Sequence, residues 1–533
     1  MALSAAARAA LEQFKTQQSG APEAPAIESQ ERAQSLGEAP EDAYANENIG
    51  LPSRPGMENP AMAALRRASG QNQTADLKAT SAVNLERLTQ GTSGLFRPEQ
   101  PKTFKESQIS YRVLESLILK TIKQEGQLNE GQVAEHLRLG INVFREILQS
   151  LHKRELLDTP LPLHYDLTNK GRELTALLER EDAYVGPAPV SFAAYCQMCQ
   201  QQAKRERRAT MADLNDVFAS YPMREELKLM LKEGFNSQRV MLFYGPPGNG
   251  KSLITDNLHR LLRDPVILPY CFEFNSKIVQ LYDPAYHRLR EDLMKKEEEE
   301  RQGNLSTSDK PDRRWLISHP PLVTVGTEFK VSHFEISYDG QYSAPPHVKA
   351  NNGIFIFDDL GRQTEDHNMI LNQFIYPLEQ RESIVKFAGG SSIRAPFLER
   401  LFLSTNLNHE ELLDDAFKRR LLYQVLVDRP TTDLWKQILK NEAAKHGCRE
   451  EVAAELGETL VKWYKEDERV IRACDPRNIF TMIDAALDEG QRAGDVLDMD
   501  MFRRIYDKYP AAYKHEAKFY VGATDSIEGG EEE

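Results

Sequence analysis

The sequence predicts an α/β fold in which helices cover both faces of a parallel sheet. Three near-continuous apolar runs, at residues 240–244, 353–357 and 401–405, have the length and composition of strands buried on both sides. The first run is followed by a glycine-rich turn and then by a helical pattern at residues 253–262. Since ligands bind at the carboxyl ends of parallel strands, the residues after the three runs are the candidates for a functional site.

The turn after the first run matches the pattern G-x-x-x-x-G-K-[ST] of a phosphate-binding loop. It consists of Gly245, Pro246, Pro247, Gly248, Asn249, Gly250, Lys251 and Ser252. Glycines allow backbone N–H groups to surround a polyphosphate, and the following helix adds the positive end of its dipole. In this pattern Lys251 reaches the β- and γ-phosphates, and the Ser252 hydroxyl binds Mg²⁺. The sequence therefore predicts a site for a nucleotide polyphosphate with Mg²⁺.

The second run ends in two acidic residues, Asp358 and Asp359. An apolar strand that ends in acids is the Walker B pattern, which accompanies a phosphate-binding loop in nucleotide hydrolases. We expect Asp358 to position Mg²⁺ and its waters, together with Ser252. Asp359 is expected to be the base that polarises the attacking water.

Three further segments place polar side chains where they could act on a phosphate. The third run ends in Asn406, which could hydrogen-bond the attacking water or the γ-phosphate. Arg419 and Arg420 follow a short helical segment and are candidates for an arginine finger that acts on the nucleotide of a neighbouring subunit. Arg477 lies near the start of a later helix and could approach the γ-phosphate. These four residues and Asp359 are the candidate catalytic residues, and either arginine of the pair could face the neighbour.

In order and spacing these segments resemble the AAA+ ATPase superfamily across residues 213–508. The resemblance implies that the nucleotide is ATP. It also implies an αβα core at residues 213–428 and a C-terminal helical lid at residues 429–510. Asn406 would then be sensor 1 and Arg477 would be sensor 2. Members of the superfamily form rings, usually of six subunits, with ATP at the interfaces, so a hexameric homo-oligomer is expected.

Two details are similar to particular branches of the superfamily. Residues 384–397 read as a hairpin just before the third strand, which is similar to the pre-sensor-1 hairpin of MoxR and magnesium-chelatase-type members. The sequence at residues 357–363 is similar to the corresponding segment of little-characterised bacterial AAA+ ATPases with an N-terminal winged helix. One departure is Asp359, where most members have glutamate. Because aspartate is one methylene shorter, slow hydrolysis or an altered geometry is expected at this position.

The regions outside the predicted core differ in character. Residues 1–105 are rich in Ala, Gln, Glu, Ser, Pro and Gly and are predicted to be disordered, while residues 511–533 read as an acidic tail. Residues 106–182 show helical patterns, a hairpin and a final helix that look like a winged-helix domain, followed by a predicted linker at residues 183–212. Ten basic and ten acidic residues balance across residues 107–180. Because a DNA-reading domain normally has a basic surface, we favour protein docking over DNA binding here.

Composition limits the class of protein. The net charge is −14, no apolar run reaches the length of a membrane span, and the five cysteines do not suggest a disulfide framework. The N-terminus lacks the apolar centre of a signal peptide, so a cytoplasmic protein is expected. Cys196 and Cys199 have no second pair to complete a zinc site and are better explained as neighbours on one helical turn. The tract at residues 334–349, with Tyr338 and Tyr342, could line a pore, grip a partner or form a surface hairpin.

Three functions are compatible with these observations. The first, which we favour, is an oligomeric AAA+ ATPase that hydrolyses ATP to remodel or assemble protein partners. The second is a DNA-binding ATP switch addressed by the winged helix. The third is a scaffold that holds ATP in a ring without hydrolysing it. Nucleic acid is thus an alternative partner, and no membrane-spanning segment is expected.

Overall fold

The computed structural model describes residues 89–90, 96–303, 310–387, 390–489 and 491–510. Most of the region predicted to be disordered and the whole of the predicted acidic tail therefore lie outside the described residues. Among the described helices, none combines the length and the apolar character that crossing a bilayer requires.

The first described region is a helical unit around a small antiparallel sheet. Its elements are β1 (Thr89–Gln90), β2 (Phe96–Arg97), α1 (Phe104–Ser107), α2 (Tyr111–Glu125), β3 (Leu128–Asn129), α3 (Glu130–Leu137), α4 (Ile141–Lys153), β4 (Leu157–Leu161), β5 (His164–Leu167) and α5 (Asn169–Glu181). The sheet has the order β3-β5-β4, and the side chains of Ser110, Asn129 and Thr168 cap the N-termini of α2, α3 and α5. The predicted helices and hairpin are thus present, while their interpretation as a winged-helix domain stays a prediction.

This N-terminal unit is fixed to the rest of the structure by a buried arginine. Arg314, which is 5% exposed, pairs with Asp312 at 2.7 Å. Its guanidinium also donates to the carbonyl oxygens of Ser107 at 3.4 Å and Pro189 at 2.8 Å. The apolar core of the unit also includes Cys271 and Ile278, which lie on two strands of the following region. The N-terminal unit and the following region therefore share both polar and apolar contacts.

The segment that the sequence predicts as a linker contains regular structure. The elements from here to the phosphate-binding loop are β6 (Val190–Ser191), α6 (Phe192–Arg205), α7 (Met211–Val217) and α8 (Glu225–Ser237). Helix α6 buries Tyr195, Met198 and Cys199 in an apolar core. Cys196 lies one turn before Cys199 on the same helix, as expected for two neighbours on one turn. Among the described residues there is no group of three metal-binding side chains.

The central region carries the main sheet. Its elements are β7 (Met241–Tyr244), α9 (Lys251–Leu258), β8 (Val266–Pro269), β9 (Cys271–Phe274), β10 (Lys277–Gln280), α10 (Glu291–Gly303), β11 (Trp315–Ser318), β12 (Leu322–Val325), β13 (Ser337–Tyr338), β14 (Tyr342–Ser343), α11 (Pro346–Lys349), β15 (Ile354–Phe357), α12 (His367–Gln380), β16 (Glu382–Lys386), β17 (Ser392–Pro396), β18 (Arg400–Thr405), α13 (His409–Leu412), α14 (Asp415–Lys418) and β19 (Tyr423–Leu426). Short 3₁₀ turns at His259–Leu261 and Val331–Phe334 extend α9 and precede β13.

Five of these strands form one parallel sheet with the order β12-β15-β18-β7-β19. Strands β15 and β18 are buried along their whole length, and separate apolar cores lie on the two faces of the sheet. This confirms the predicted α/β fold with a parallel sheet. The three apolar runs of the sequence correspond to β7, β15 and β18.

Two smaller hairpins lie beside the main sheet. The hairpin predicted at residues 384–397 is formed by β16 and β17, which pair in antiparallel register directly before β18. Tyr338 and Tyr342 lie on the second hairpin, β13–β14, with their ring centroids 4.8 Å apart. The hydroxyl of Tyr338 donates to the carbonyl oxygen of Arg180 at 3.1 Å, at the end of α5. Of the interpretations of this tract, the structure favours a surface hairpin that contacts the N-terminal unit.

The last described region is a helical bundle with its own core. It consists of α15 (Thr432–Lys445), α16 (Glu450–Glu466), α17 (Asp475–Asp484), α18 (Ala493–Val496) and α19 (Met499–Lys508). Trp435, Tyr464 and Tyr506 fill the centre of this core and are fully buried. The bundle coincides with the predicted helical lid at residues 429–510, and its function as a lid stays a prediction.

Candidate nucleotide-binding site

The order of the parallel strands brings the three predicted site segments together. Strand β18 lies between β7 and β15, and all three run in the same direction. The phosphate-binding loop, the two aspartates and Asn406 therefore emerge side by side at one edge of the sheet. This is the carboxyl edge, where α/β sheets bind their ligands.

The phosphate-binding loop adopts a backbone conformation that requires glycine at several positions. Gly245 and Gly248 have φ angles of 132° and 82°. A Cβ atom at Gly245 would lie 2.6 Å from the carbonyl oxygen of Val427, and one at Gly248 would lie 2.8 Å from the sulfur of Cys474. Both the φ angles and the close neighbours exclude larger residues, which explains the glycine pattern seen in the sequence.

Lys251 is held inside the loop at the N-terminus of α9. It is 7% exposed, and its Nζ donates to the carbonyl oxygens of Gly245 and Pro246, each at 2.9 Å. Burial lowers the pKa of Lys251 to about 8, although the carboxylates of Asp358 and Asp359 oppose the shift. The ammonium group thus lies where it can exchange the loop carbonyls for phosphate oxygens.

Ser252 and Asp358 form the candidate magnesium site. The Ser252 hydroxyl donates to Oδ2 of Asp358 at 3.1 Å. Nearby, burial and the charge of Asp358 raise the pKa of Asp256, one turn further along α9. A hydroxyl and a carboxylate fit Mg²⁺, which prefers oxygen ligands and is usually shared with substrate phosphates and water. The residues present therefore fit the predicted metal, with its remaining ligands left to the nucleotide and solvent.

Asp359 is held by Asn406 from the neighbouring strand. The Asn406 amide donates to Oδ1 of Asp359 at 3.1 Å, and the Gln363 amide donates to the backbone carbonyl of Asp359 at 3.1 Å. Asp359 has a φ of 50°, an uncommon conformation for a residue other than glycine. The side-chain oxygen of Asn406 is buried and has no hydrogen-bond donor among the described residues. A buried acceptor without a donor is costly, so this oxygen is positioned to accept a hydrogen bond from a bound water.

The helical bundle contacts the phosphate-binding loop directly. The backbone N–H of Cys474 donates to the carbonyl of Gly248 at 2.9 Å, and that of Ala473 donates to the Asn249 side chain at 3.3 Å. An ion pair of 3.0 Å between Arg472 and Asp475 supports this turn. Pro476 in the first turn of α17 marks a helix start in the sequence, but no sequence pattern predicts these contacts.

The loop, the aspartates and Asn406 line one cleft of about 1220 Å³, and Arg477 from the bundle lines it as well. The same cleft has an apolar portion that sequence reasoning missed, formed by Tyr221, Met223, Leu227, Met230, Leu434 and Ile438. Its polar portion carries the groups expected for a polyphosphate, and its apolar portion offers a surface for a base and sugar. The cleft thus has the size and polarity of a nucleotide site.

Neither of the paired arginines lines this cleft. Arg420 donates to the carbonyl of Ala416 and pairs with Glu379 on α12. The side chain of Arg419 is exposed and has no hydrogen-bond or ion-pair partner in the part of the chain that the structure describes. The structure therefore does not bring them to the cleft of their own subunit, which leaves action on a neighbour as their predicted role.

Comparisons with known proteins add little to this geometry. No family model matches the chain, and no curated protein matches it. Among solved structures, it is similar to a mutant of RuvB from Thermotoga maritima, with 11% identity, a TM-score of 0.31, and coverage of 57% of this chain and 73% of that one. It is also similar to NtrX from Brucella abortus in complex with ATP, with 13% identity, a TM-score of 0.29 and coverage of 63% of each chain. At these scores neither likeness supports an assignment, which rests on the residues of the cleft.

Proposed function

We propose that this protein is an AAA+ ATPase that binds ATP with Mg²⁺ and hydrolyses it at subunit interfaces to remodel or assemble protein partners. The observation that carries the proposal is the set of contacts in one cleft. Lys251 lies in the loop, Ser252 contacts Asp358, and Asn406 contacts Asp359. These groups supply phosphate binding, metal binding and water activation within a single site.

The chain's own residues account for each part of the hydrolysis. Lys251 transfers its hydrogen bonds from loop carbonyls to the β- and γ-phosphates. Ser252 and Asp358 would hold Mg²⁺, which when bound neutralises charge on the phosphates. Asn406 fixes one oxygen of Asp359 and leaves Oδ2 to accept a proton as water attacks the γ-phosphorus. The products are ADP and inorganic phosphate.

The proposed site is completed by a second copy of the chain. Arginine beside the transferring phosphoryl group stabilises its charge in the transition state. Arg477 can approach from the same subunit, whereas Arg419 and Arg420 lie away from their own cleft. A ring in which each subunit presents this pair to its neighbour would complete every site. The hexamer is proposed from the resemblance to the superfamily.

A protein partner is favoured over DNA by the surface of the N-terminal unit. On α4, which would be the recognition helix of a winged-helix domain, Arg145 pairs with Glu130 at 3.1 Å. The tip of the β4–β5 hairpin exposes Leu161 and Leu163 and carries no lysine or arginine. An apolar tip beside a charge-balanced helix suits a protein surface better than a phosphate backbone.

The test is steady-state phosphate release by the purified chain over a range of protein concentrations, with Lys251→Ala as the control. We expect the rate per subunit to rise with concentration, because sites are completed between copies. Lys251→Ala should abolish ATP binding and release. ATP binding without turnover at any concentration would reject the hydrolase and favour the ATP-held scaffold, for which the short side chain of Asp359 is a specific reason.

A further inference from the structure

A second cleft, of about 450 Å³, lies at the opposite edge of the main sheet from the nucleotide cleft. Pro320 and Asn352, which come shortly before β12 and β15, form part of its wall. The end of α6, the chain at residues 205–209 and the segment at residues 261–267 form most of the rest, together with Asp213, Arg290 and Leu293. We call it the arginine cleft, because five of its lining residues are arginines: Arg205, Arg207, Arg208, Arg263 and Arg290.

Carboxylates hold three of the arginines at the rim of the arginine cleft. Asp213 pairs with Arg207 at 3.0 Å and with Arg263 at 3.3 Å. Arg263 also pairs with Asp216 at 3.2 Å, and Arg290 pairs with Asp292 at 2.7 Å. An external anion therefore needs an arginine outside these pairs, whose guanidinium can donate two parallel hydrogen bonds to phosphate oxygens.

One arginine of this rim is available without breaking a contact. Arg208 is exposed and has no hydrogen-bond or ion-pair partner among the residues that the structure describes.

Two side chains that line the arginine cleft hold acceptors without donors. Asn352 is 8% exposed, and its amide nitrogen donates to the carbonyl of Cys199 at 2.9 Å, but its oxygen has no donor among the described residues. The side-chain oxygen of Gln201 is buried and equally unpartnered there. By contrast, Gln202 is satisfied at both ends by the backbone of Ile267. Buried acceptors of this kind call for N–H or O–H donors from outside the chain.

The remaining wall is apolar and includes Leu262, Pro265, Leu293 and Pro320. Cavities that bind small molecules have volumes of roughly 300–1,000 Å³ and combine an apolar wall with a few polar groups. We propose that the arginine cleft binds a phosphorylated ligand of nucleotide size, with its phosphate on Arg208 and the N–H groups of its base on Gln201 and Asn352. Inorganic phosphate shares only the anionic group of such a ligand and lacks its base.

The position of this cleft gives its ligand a route to the nucleotide site. Helix α9 begins at Lys251, and its 3₁₀ extension ends at Leu261, which lines the arginine cleft. A ligand there touches the far end of the helix whose first residues hold the polyphosphate. The proposed ligand site itself does not depend on whether the first cleft hydrolyses ATP.

The experiment is equilibrium binding of AMP to the full chain by isothermal titration calorimetry, with inorganic phosphate as a second probe. Arg208→Glu should weaken AMP binding roughly tenfold or more, because a charge-assisted contact becomes repulsive. Arg449→Glu, the same charge change at an exposed residue outside this cleft, should leave it unchanged. Gln201→Leu should weaken AMP binding but not phosphate binding, since it removes only an acceptor for the base.

Lys251→Ala separates the two clefts. AMP binding that persists in Lys251→Ala and falls in Arg208→Glu supports the proposal. Binding that is lost in Lys251→Ala and kept in Arg208→Glu would place AMP in the nucleotide cleft and overturn it. Equal affinities for AMP and inorganic phosphate, or no effect of Gln201→Leu, would overturn the nucleotide assignment and leave an anion site only.

Discussion

The ammonium group of Lys251 lies inside the phosphate-binding loop, where it donates to two backbone carbonyls and has little contact with water. Its pKa is lowered to about 8, mainly because burial disfavours the charged form. A bound polyphosphate would bring negative charge next to this group and favour its protonated form. Binding of nucleotide and binding of a proton are therefore linked at this residue.

We expect the affinity for ATP to fall as the pH rises above about 8, the pKa of Lys251 in the free protein. Below that pH the lysine is already charged, whereas above it each bound nucleotide must recruit a proton. The affinity then falls by up to about tenfold per pH unit. Calorimetric titrations at about pH 7 and about pH 9, in two buffers of different ionisation enthalpy, measure both the affinity and the proton uptake.

Lys251→Arg is the control for this titration, because a guanidinium stays charged over the whole range. The ATP affinity of this variant, even if weaker than that of the wild-type protein, should be the same at the two pH values. If the ATP affinity of the wild-type protein were equally independent of pH, and no proton were taken up, the charge of Lys251 would not be what binds the phosphates.

In the proposed mechanism Asn406 acts through Asp359, whose carboxylate it holds at 3.1 Å. We expect Asn406→Ala to lower the rate of ATP hydrolysis by roughly 10²-fold, as for other lost hydrogen-bond donors in active sites. ATP binding should stay within a few fold, since Asn406 is not part of the phosphate-binding loop. Phosphate release and ATP titration on the same preparation separate the two effects, and an equal loss in both would mean that Asn406 serves the fold or the binding of ATP instead.

At the scale of the elements, the buried pair Arg314–Asp312 connects the N-terminal unit to the central region. We expect Arg314→Met to destabilise the protein by about 3–5 kcal/mol, because it leaves a buried carboxylate without its partner. Urea denaturation of the variant and the wild-type protein measures the decrease in the free energy of unfolding. Adding Asp312→Asn to this variant should recover part of it by removing the unpaired charge.

The exposed pair Arg112–Glu181, at 2.8 Å, is the matched comparison. Arg112→Met should cost no more than about 1 kcal/mol, because exposed ion pairs contribute little. If the two variants had the same free energy of unfolding, the buried arginine would not be the connection between the two regions.

The elements also show what the sequence could predict and why. Lys251, Asp358 and Asn406 each lie at or just beyond the end of an apolar run, and parallel strands bring their carboxyl ends to one edge, so local patterns were sufficient to predict this part of the site. Tyr221 and Cys474 reach the same cleft from helical regions distant in sequence. Helical periodicity shows which face is buried but not what it packs against, so these contacts depend on tertiary packing.

At the scale of the whole molecule, the proposed hydrolysis requires one group from outside the nucleotide cleft, which is the arginine of a neighbouring subunit. Arg419 and Arg420 differ in how freely they can contact a neighbouring subunit. Arg420 forms an ion pair with Glu379, whereas the side chain of Arg419 is exposed. An arginine that acts on a neighbour must reach beyond its own surface. We therefore expect Arg419 to be the arginine finger and Arg420 to support the segment that carries it.

Arg419→Ala should keep ATP binding and lower hydrolysis by roughly 10³-fold or more, while Arg420→Ala should have a much smaller effect. The decisive measurement mixes Arg419→Ala subunits with Asp359→Asn subunits, each inactive alone. In a head-to-tail ring, about one interface in four then pairs an intact Asp359 with an intact Arg419, so about a quarter of the wild-type rate should return. A mixture that stays inactive would mean that Arg419 acts within its own subunit or not at all. Full activity of Arg419→Ala alone, with loss in Arg420→Ala, would transfer the role to Arg420.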